Sequence, residues 1–354
     1  MIPHMFRTVF TAAVFALVAI GCSDKTVTGP APFQGTEMIL VSVEDSVNDV
    51  FADRVQRLDP LGSSTYKTTY LLDSMRLYTS PRAGKMAFLI DKQLADIYKI
   101  IVTNMDGSNP VTVASASTLA KAISYPTLSP DARYVVYATN DKQLMRVNID
   151  GTNPQSLATD AAYEGIAAFS PDGGRVAYYG EDENLHIVNI DGSNRRQLAA
   201  NVQNDLSGHS SVEFSPDGKN IVYVGRSTKG AVDIYVVNAD GDPKPRQLTN
   251  DDGGDSDPTW SPDGTRIAWS AYPGDIWVMN ADGTGAKDIT TNLSNRDDSP
   301  SWGPDGQHLI FTDTYVNLQQ GYAADVGTLR EYDFGTNESR SIAFKVYRGF
   351  WGKF

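Results

Sequence analysis

This chain of 354 residues has one cysteine, Cys22, and four histidines, His4, His186, His209 and His308. A lone cysteine excludes any disulfide within the chain, so no covalent staple holds the fold. So few histidines leave little for a His-rich metal centre, and no Gly-x-Ser-x-Gly segment offers a nucleophile elbow. Positive charge is also scarce. Against 43 Asp and Glu there are 30 Lys and Arg, a net charge of −13 with His neutral. That balance disfavours nucleic acid and anionic lipid as partners, since both need a basic surface. Extended apolar runs are confined to Val9–Ile20, which is short for a membrane span.

What the chain has in abundance is one phrase. Ser-Pro-Asp-Gly occurs at Ser170–Gly173, Ser215–Gly218 and Ser261–Gly264. Weaker copies are Ser80-Pro81-Arg82-Ala83, Ser129-Pro130-Asp131-Ala132 and Gly303-Pro304-Asp305-Gly306. The anchors at 80, 129, 170, 215, 261 and 303 are separated by 49, 41, 45, 46 and 42 residues. A period of about 40–45 residues is that of a β-propeller blade.

Each repeat reads as four short strands, A to D. In the fourth, Val212-Glu213-Phe214 precedes the phrase and Asn220–Val224 follows it. Asp233–Asn238 and Arg246–Thr249 complete the set. Pro presets φ and Gly accepts the positive φ of a tight turn, so the phrase fits the A–B hairpin. A second Asp-Gly, as at Asp240-Gly241 and Asp282-Gly283, fits the C–D hairpin. The expectation is an all-β propeller of four-stranded blades.

Both chain ends carry partial copies. Met38–Ser42 reads as strand B, Asp49–Asp53 as strand C and Tyr66–Tyr70 as strand D, while Phe350-Trp351-Gly352 matches the strand A ending Ser301-Trp302-Gly303. Joining them predicts a seventh blade, sewn from the two ends, which would remove exposed edges. The alternative is six blades with an N-terminal extension.

Residues 1–21 read as a secretory leader, and Ala19-Ile20-Gly21-Cys22 resembles the bacterial lipobox, which marks Cys22 for lipidation. Ser23 after it favours outer-membrane sorting, facing the periplasm or the cell surface. Residues 22–36, rich in Thr, Pro and Gly, read as a flexible tether, and 37–354 as the propeller. Membrane attachment is expected through the lipid alone.

The Pro-Asp-Gly turns are explained by backbone geometry, so binding is expected on the opposite face, formed by B–C and D–A loops. Candidates there are Tyr163, Glu164, His209, Tyr272, Arg296, Tyr315 and Tyr322. Asp251, Asp255 and Asp257, with Asp297 and Asp298, could hold Ca²⁺, the only cofactor these residues point to; their spacing is not that of an EF-hand. No catalytic residue is singled out. His186 falls in a strand C position equivalent to Tyr235 and Trp277, which assigns it to packing.

The succession Phe-Ser-Pro-Asp-Gly, Ile-x-Tyr, Ile-Tyr-x-x-Asn-x-Asp-Gly and Gln-Leu-Thr resembles the TolB-type (WD40-like) propeller repeat, from Ser80 to about Thr314. The resemblance implies a bacterial cell-envelope propeller, a non-catalytic scaffold that binds a protein or a glycan. The lipobox and the seventh blade depart from that family. The same repeat also occurs in propellers of peptidases and oligogalacturonate lyases. A carbohydrate-active enzyme (lyase or glycosidase) or a sugar-binding protein using the central pocket is therefore the alternative.

Overall fold

The computed structural model describes residues 37–47, 50–60, 66–73, 76–77, 82–92, 97–105, 107–117, 123–162, 167–200, 212–227, 229–241, 244–290, 296–314, 316–317, 322–323 and 327–353. All of them are strand, turn or irregular structure, with no helix among them. The leader, Cys22, the tether, Tyr163, Glu164, His209 and Tyr315 lie outside the described residues.

Five four-stranded antiparallel sheets follow the anchors in order. The Ser215 sheet, for example, runs Val212–Phe214, Asn220–Arg226, Val232–Asn238 and Arg246–Gln247. The Ser261 sheet runs Asp255–Trp260, Arg266–Ala271, Asp275–Asn280 and Lys287–Asp288. The B and C strands are buried almost throughout because both faces of each sheet are covered. Burial patterns such as iBBBBB over Arg266–Ala271 replace the alternation expected of a half-exposed sheet.

What covers those faces is the next sheet. One apolar cluster joins Tyr179, Leu185 and Ile187 of the Ser170 sheet to Phe214, Ile221 and Tyr223 of the Ser215 sheet. A second joins Val222, Val224 and Ile234 to Trp260, Ile267 and Trp269 of the Ser261 sheet. A third continues from Ala268, Ile276 and Val278 to Trp302, Leu309 and Phe311. At about 1.5–3 kcal/mol for each large side chain fully buried, these seams are the main source of stability.

The Ser-Pro-Asp-Gly turns register one sheet on the next. Ser261 Oγ donates to Asp263 Oδ1 (2.6 Å) and accepts the Arg266 amide (2.9 Å). Ser215 does the same with Asp217 (2.6 Å) and the Asn220 amide (2.9 Å). Gly264 has φ 69° and lies so close to the preceding sheet that a Cβ there would sit 3.4 Å from Pro216 Cδ. The proline of each phrase is thus the surface on which the next glycine rests. Arginines add a second tie: Arg146 Nη1 donates to Ile190 O (3.1 Å) and Arg196 Nη2 to Ala239 O (2.8 Å), each across a seam.

The chain ends meet as expected. Strand Glu338–Lys353 pairs through its first half with Gly327–Asp333 and through its second half with Glu37–Val47. Phe350 lies opposite Leu40, Trp351 opposite Ile39 and Gly352 opposite Met38. Val50–Pro60 and Tyr66–Asp73 extend the same sheet. One 16-residue strand therefore serves both the Gly303 repeat and the closing set, giving a single seven-stranded sheet. Six sheets of four or more strands result, where separate strands had been expected for each blade.

Deleting residues 347–354 removes six of the seven residue pairs between that strand and Glu37–Val47. At about 0.5–1.5 kcal/mol net per lost hydrogen bond, the melting temperature should fall by about 5–10 °C. An unchanged calorimetric transition would show that the end pairing contributes nothing.

Candidate functional site

Three consecutive sheets place carboxylates at matching positions along two successive seams, on the face away from the Pro-Asp-Gly turns. Asp233 and Asp275 stand at the start of strand C, while Asp255 and Asp297 stand at the start of strand A. The geometry between them is held by threonines at the end of strand D. Thr249 Oγ1 accepts the Ile234 amide (2.9 Å) and donates to Asp255 Oδ2. Thr290 Oγ1 accepts the Ile276 amide (3.0 Å) in the same way. Trp269 Nε1 completes the hold on Asp255 by donating to Oδ1 (3.0 Å).

All four carboxyls are shifted upward, and burial is the largest cause in each. Asp255 is pushed up to about 7, with Thr249 and Trp269 countering and Asp251 and Asp233 adding to the rise. Asp297 reaches about 8. The Thr290 hydroxyl lies close enough to oppose that shift, yet neither Asp297 oxygen completes a hydrogen bond of normal geometry. Asp313 and Asp275 raise it further, and Arg330 counters them.

Above these buried acids lies an exposed patch. Tyr272 is 74% exposed, and Arg296 and Asp251 are exposed as well. The Tyr272 amide donates to Gly254 O (2.8 Å), which ties the B–C loop to the D–A loop that carries Asp251. The Asp297 amide donates to Gly274 O (2.7 Å), and a Cβ on Gly274 would fall 2.8 Å from Arg296 Cα. Gly274 is needed for that approach and for its φ of 140°.

Of the residues singled out from sequence, Tyr272, Arg296 and Asp251 are brought together on this rim. Tyr322 lies in the short strand Tyr322–Ala323, paired with Val316–Asn317. Among the carboxylates, Asp251 and Asp255 converge, but with Asp233 rather than with Asp257, Asp297 or Asp298. Asp257 is buried at φ 51°, and Asp297 and Asp298 belong to the following sheet. Asp233 carried a sequence signal that went unused: Asp-Ile-aromatic opens strand C both at Asp233-Ile234-Tyr235 and at Asp275-Ile276-Trp277.

His186 is buried and stacks on Tyr178 (centroids 5.5 Å apart), as Tyr235 stacks on Tyr223 (5.6 Å). It also bonds Asp182 through Nε2 (2.9 Å). His308 sits beside an A–B turn, bonded to Asp305 (2.6 Å), far along the strands from His186. Two cavities are lined by described residues. One of about 610 Å³ is lined by Lys99, Tyr137, Asp141 and Met145, and one of about 190 Å³ by Asp217, Arg246 and Trp260. Neither takes in Tyr272 or Arg296.

A family model described as the TolB beta propeller domain matches residues 82–225 and 144–274, together more than half of the chain. The chain belongs to the TolB β-propeller family. No curated protein matches it. Among solved structures, TolB from Acinetobacter baumannii is similar at 17% identity and TM-score 0.54, covering 89% of this chain and 82% of that one. Oligogalacturonate lyase from Vibrio parahaemolyticus is similar at 13% identity and TM-score 0.56, covering 87% and 85%. The β-propeller domain of the Trilobed protease from Pyrococcus furiosus is similar at 8% identity and TM-score 0.61, covering 88% and 93%. These likenesses establish the fold, which one TolB-type protein shares with a lyase and a protease domain; they do not choose among functions.

Asp297 gives this TolB-type propeller a pH dependence whose sign is fixed. Its folded-state value of about 8 lies above the usual 3.8, so between those values the folded chain holds a proton that the unfolded chain has lost. The stabilisation is fully present below about pH 4 and is lost as pH rises through 8. Asp297→Asn should flatten the decline in urea midpoint between pH 5 and 8, by at most about 1.4 kcal/mol per pH unit. A parallel decline in the variant would contradict this assignment.

Proposed function

We propose that this chain is a non-catalytic binding scaffold of the bacterial cell envelope, anchored through a lipid on Cys22, which presents its B–C/D–A face to a protein or glycan partner. The carrying observation is the rim patch of Tyr272 and Arg296, exposed on loops that backbone hydrogen bonds fix to one another. Tyrosine and arginine are, with tryptophan, the residues enriched among interface hot spots. A rigid loop base lowers the ordering cost of association. Membership of the TolB family supports the envelope location, and the lipobox resemblance supports the anchor.

Support for a scaffold rather than an enzyme comes from what surrounds the patch. His186 is committed to stacking and to Asp182, and His308 to Asp305 near an A–B turn. Beneath the rim, the Asp255 carboxylate is committed to the Thr249 hydroxyl and the Trp269 ring N–H.

The soluble form beginning at Ser23, used as bait in envelope extracts, should retain a specific protein partner. Tyr272→Ala should weaken that retention at least about tenfold, the effect of a single interface hot spot. Retention on a polysaccharide array without any protein partner would replace the protein reading by the glycan one. Cys22→Ser in the full-length chain should move the protein from the membrane fraction to the soluble fraction; continued membrane association would remove the lipid anchor from the proposal.

A further inference from the structure

One oxygen from each of Asp233, Asp251 and Asp255 lies within 4.8 Å of the other two. Asp233 opens strand C of the Ser215 sheet, Asp255 opens strand A of the next sheet, and Asp251 projects from the loop between them. Three carboxylates at this separation repel one another strongly unless something positive sits among them. Among the described residues none of the three forms an ion pair; Asp251 raises Asp233, and Asp251 and Asp233 together raise Asp255.

An earlier seam, between the Ser129 and Ser170 sheets, shows how the chain partners such a group from its own side chains. Asp160, Asp182 and His186 also converge within 4.8 Å, but Arg195 pairs with Asp160 and the imidazole of His186 bonds Asp182. Among the described residues no arginine, lysine or histidine pairs with Asp233, Asp251 or Asp255.

A second observation is independent of charge counting. Asp233 is 0% exposed; its Oδ2 accepts from Gln247 Nε2 (3.0 Å), while its buried Oδ1 completes no hydrogen bond of normal geometry, although the Ser227 and Thr249 hydroxyls lie close enough to oppose its upward shift. A buried carboxylate oxygen left without a donor is costly, and a bound cation is a standard way to satisfy it. Asp255 is already oriented by Thr249 and Trp269, and exposed Asp251 leaves a route from solvent.

We propose that Asp233, Asp251 and Asp255 form a binding site for a hard divalent cation of the Ca²⁺ type. The donors are all oxygen, and two of the three sit on paired strands. Water entering past Asp251 would complete the six to eight oxygen ligands that Ca²⁺ takes. The bound ion cross-links the D–A loop to strand C of the preceding sheet, directly beside the Tyr272 amide that bonds Gly254. The site goes beyond the scaffold reading and stands whether the rim partner is a protein or a glycan.

The test uses the full-length chain in detergent, scanned calorimetrically in EDTA and then with millimolar CaCl₂, MgCl₂ or NaCl of matched ionic strength. CaCl₂ should raise the melting temperature by about 3–6 °C, as expected for a site well above half-saturation. Tb³⁺ should show luminescence sensitised by Trp269 and displaced by Ca²⁺. Asp233→Asn should abolish both signals. Asp251→Ala, at an exposed position whose carboxylate accepts the Gly253 amide (2.8 Å) within its own loop, should lower the Ca²⁺ affinity at least tenfold, and decides the matter if Asp233→Asn fails to fold. An equal shift with MgCl₂ or NaCl, or an undiminished Ca²⁺ response in Asp251→Ala, overturns the proposal.

Discussion

Burial between consecutive sheets is the constraint on which the rest of this molecule depends. Among the described residues the apolar clusters bridge sheets: Ile221 and Tyr223 find their partners in the preceding sheet, and Val222 and Val224 find theirs in the following one. Successive residues of a single strand therefore stabilise two different seams, the geometric result of side chains alternating across a strand. A sheet at either end of such a row would leave one face in water. Pairing Glu338–Lys353 with Glu37–Val47 meets the same need at the level of the backbone, because it places the chain ends inside one sheet.

That constraint explains why the repeats keep what they keep. The Ser-Pro-Asp-Gly turn closes a hairpin, but its proline and glycine also touch across the seam, Pro216 under Gly264 and Pro171 under Gly218. A larger residue in the glycine position would have to adopt a left-handed backbone, since both glycines have positive φ. The buried serine supplies the turn's internal hydrogen bonds, so the phrase is retained as a unit.

The sequence made the turns, the strand order and the meeting of the two ends legible, since each depends on local patterns. The role of His186 was legible for the same reason, because Tyr235 and Trp277 hold its position in the next two repeats. The shared 16-residue strand was not. From Phe344 to Arg348 no turn residue interrupts the pattern, so nothing local marks where one sheet's strand D becomes another's strand A. The carboxylate cluster was only half legible. Asp251 and Asp255 stand out in an acidic loop, whereas Asp233 is hidden inside a strand pattern. Its partnership with them depends on a seam that sequence spacing does not encode.

The same reasoning separates scaffold from specificity. A residue that recurs at each repeat answers to a seam that recurs at each repeat, and Thr249 and Thr290 show this down to the backbone amide they accept. Tyr272 and Arg296 have no such counterpart, yet they stand where two loops are bonded to each other. Exposure of a large aromatic side chain costs free energy that packing elsewhere in this fold avoids, since among the described residues most tyrosines and tryptophans lie in seams. A tyrosine left 74% exposed on a hydrogen-bonded loop base is thus neither repeat nor core. Within a frame whose every repeated feature is accounted for by its neighbours, selectivity for a partner has to come from such departures, and the rim of the Ser261 sheet is where they gather.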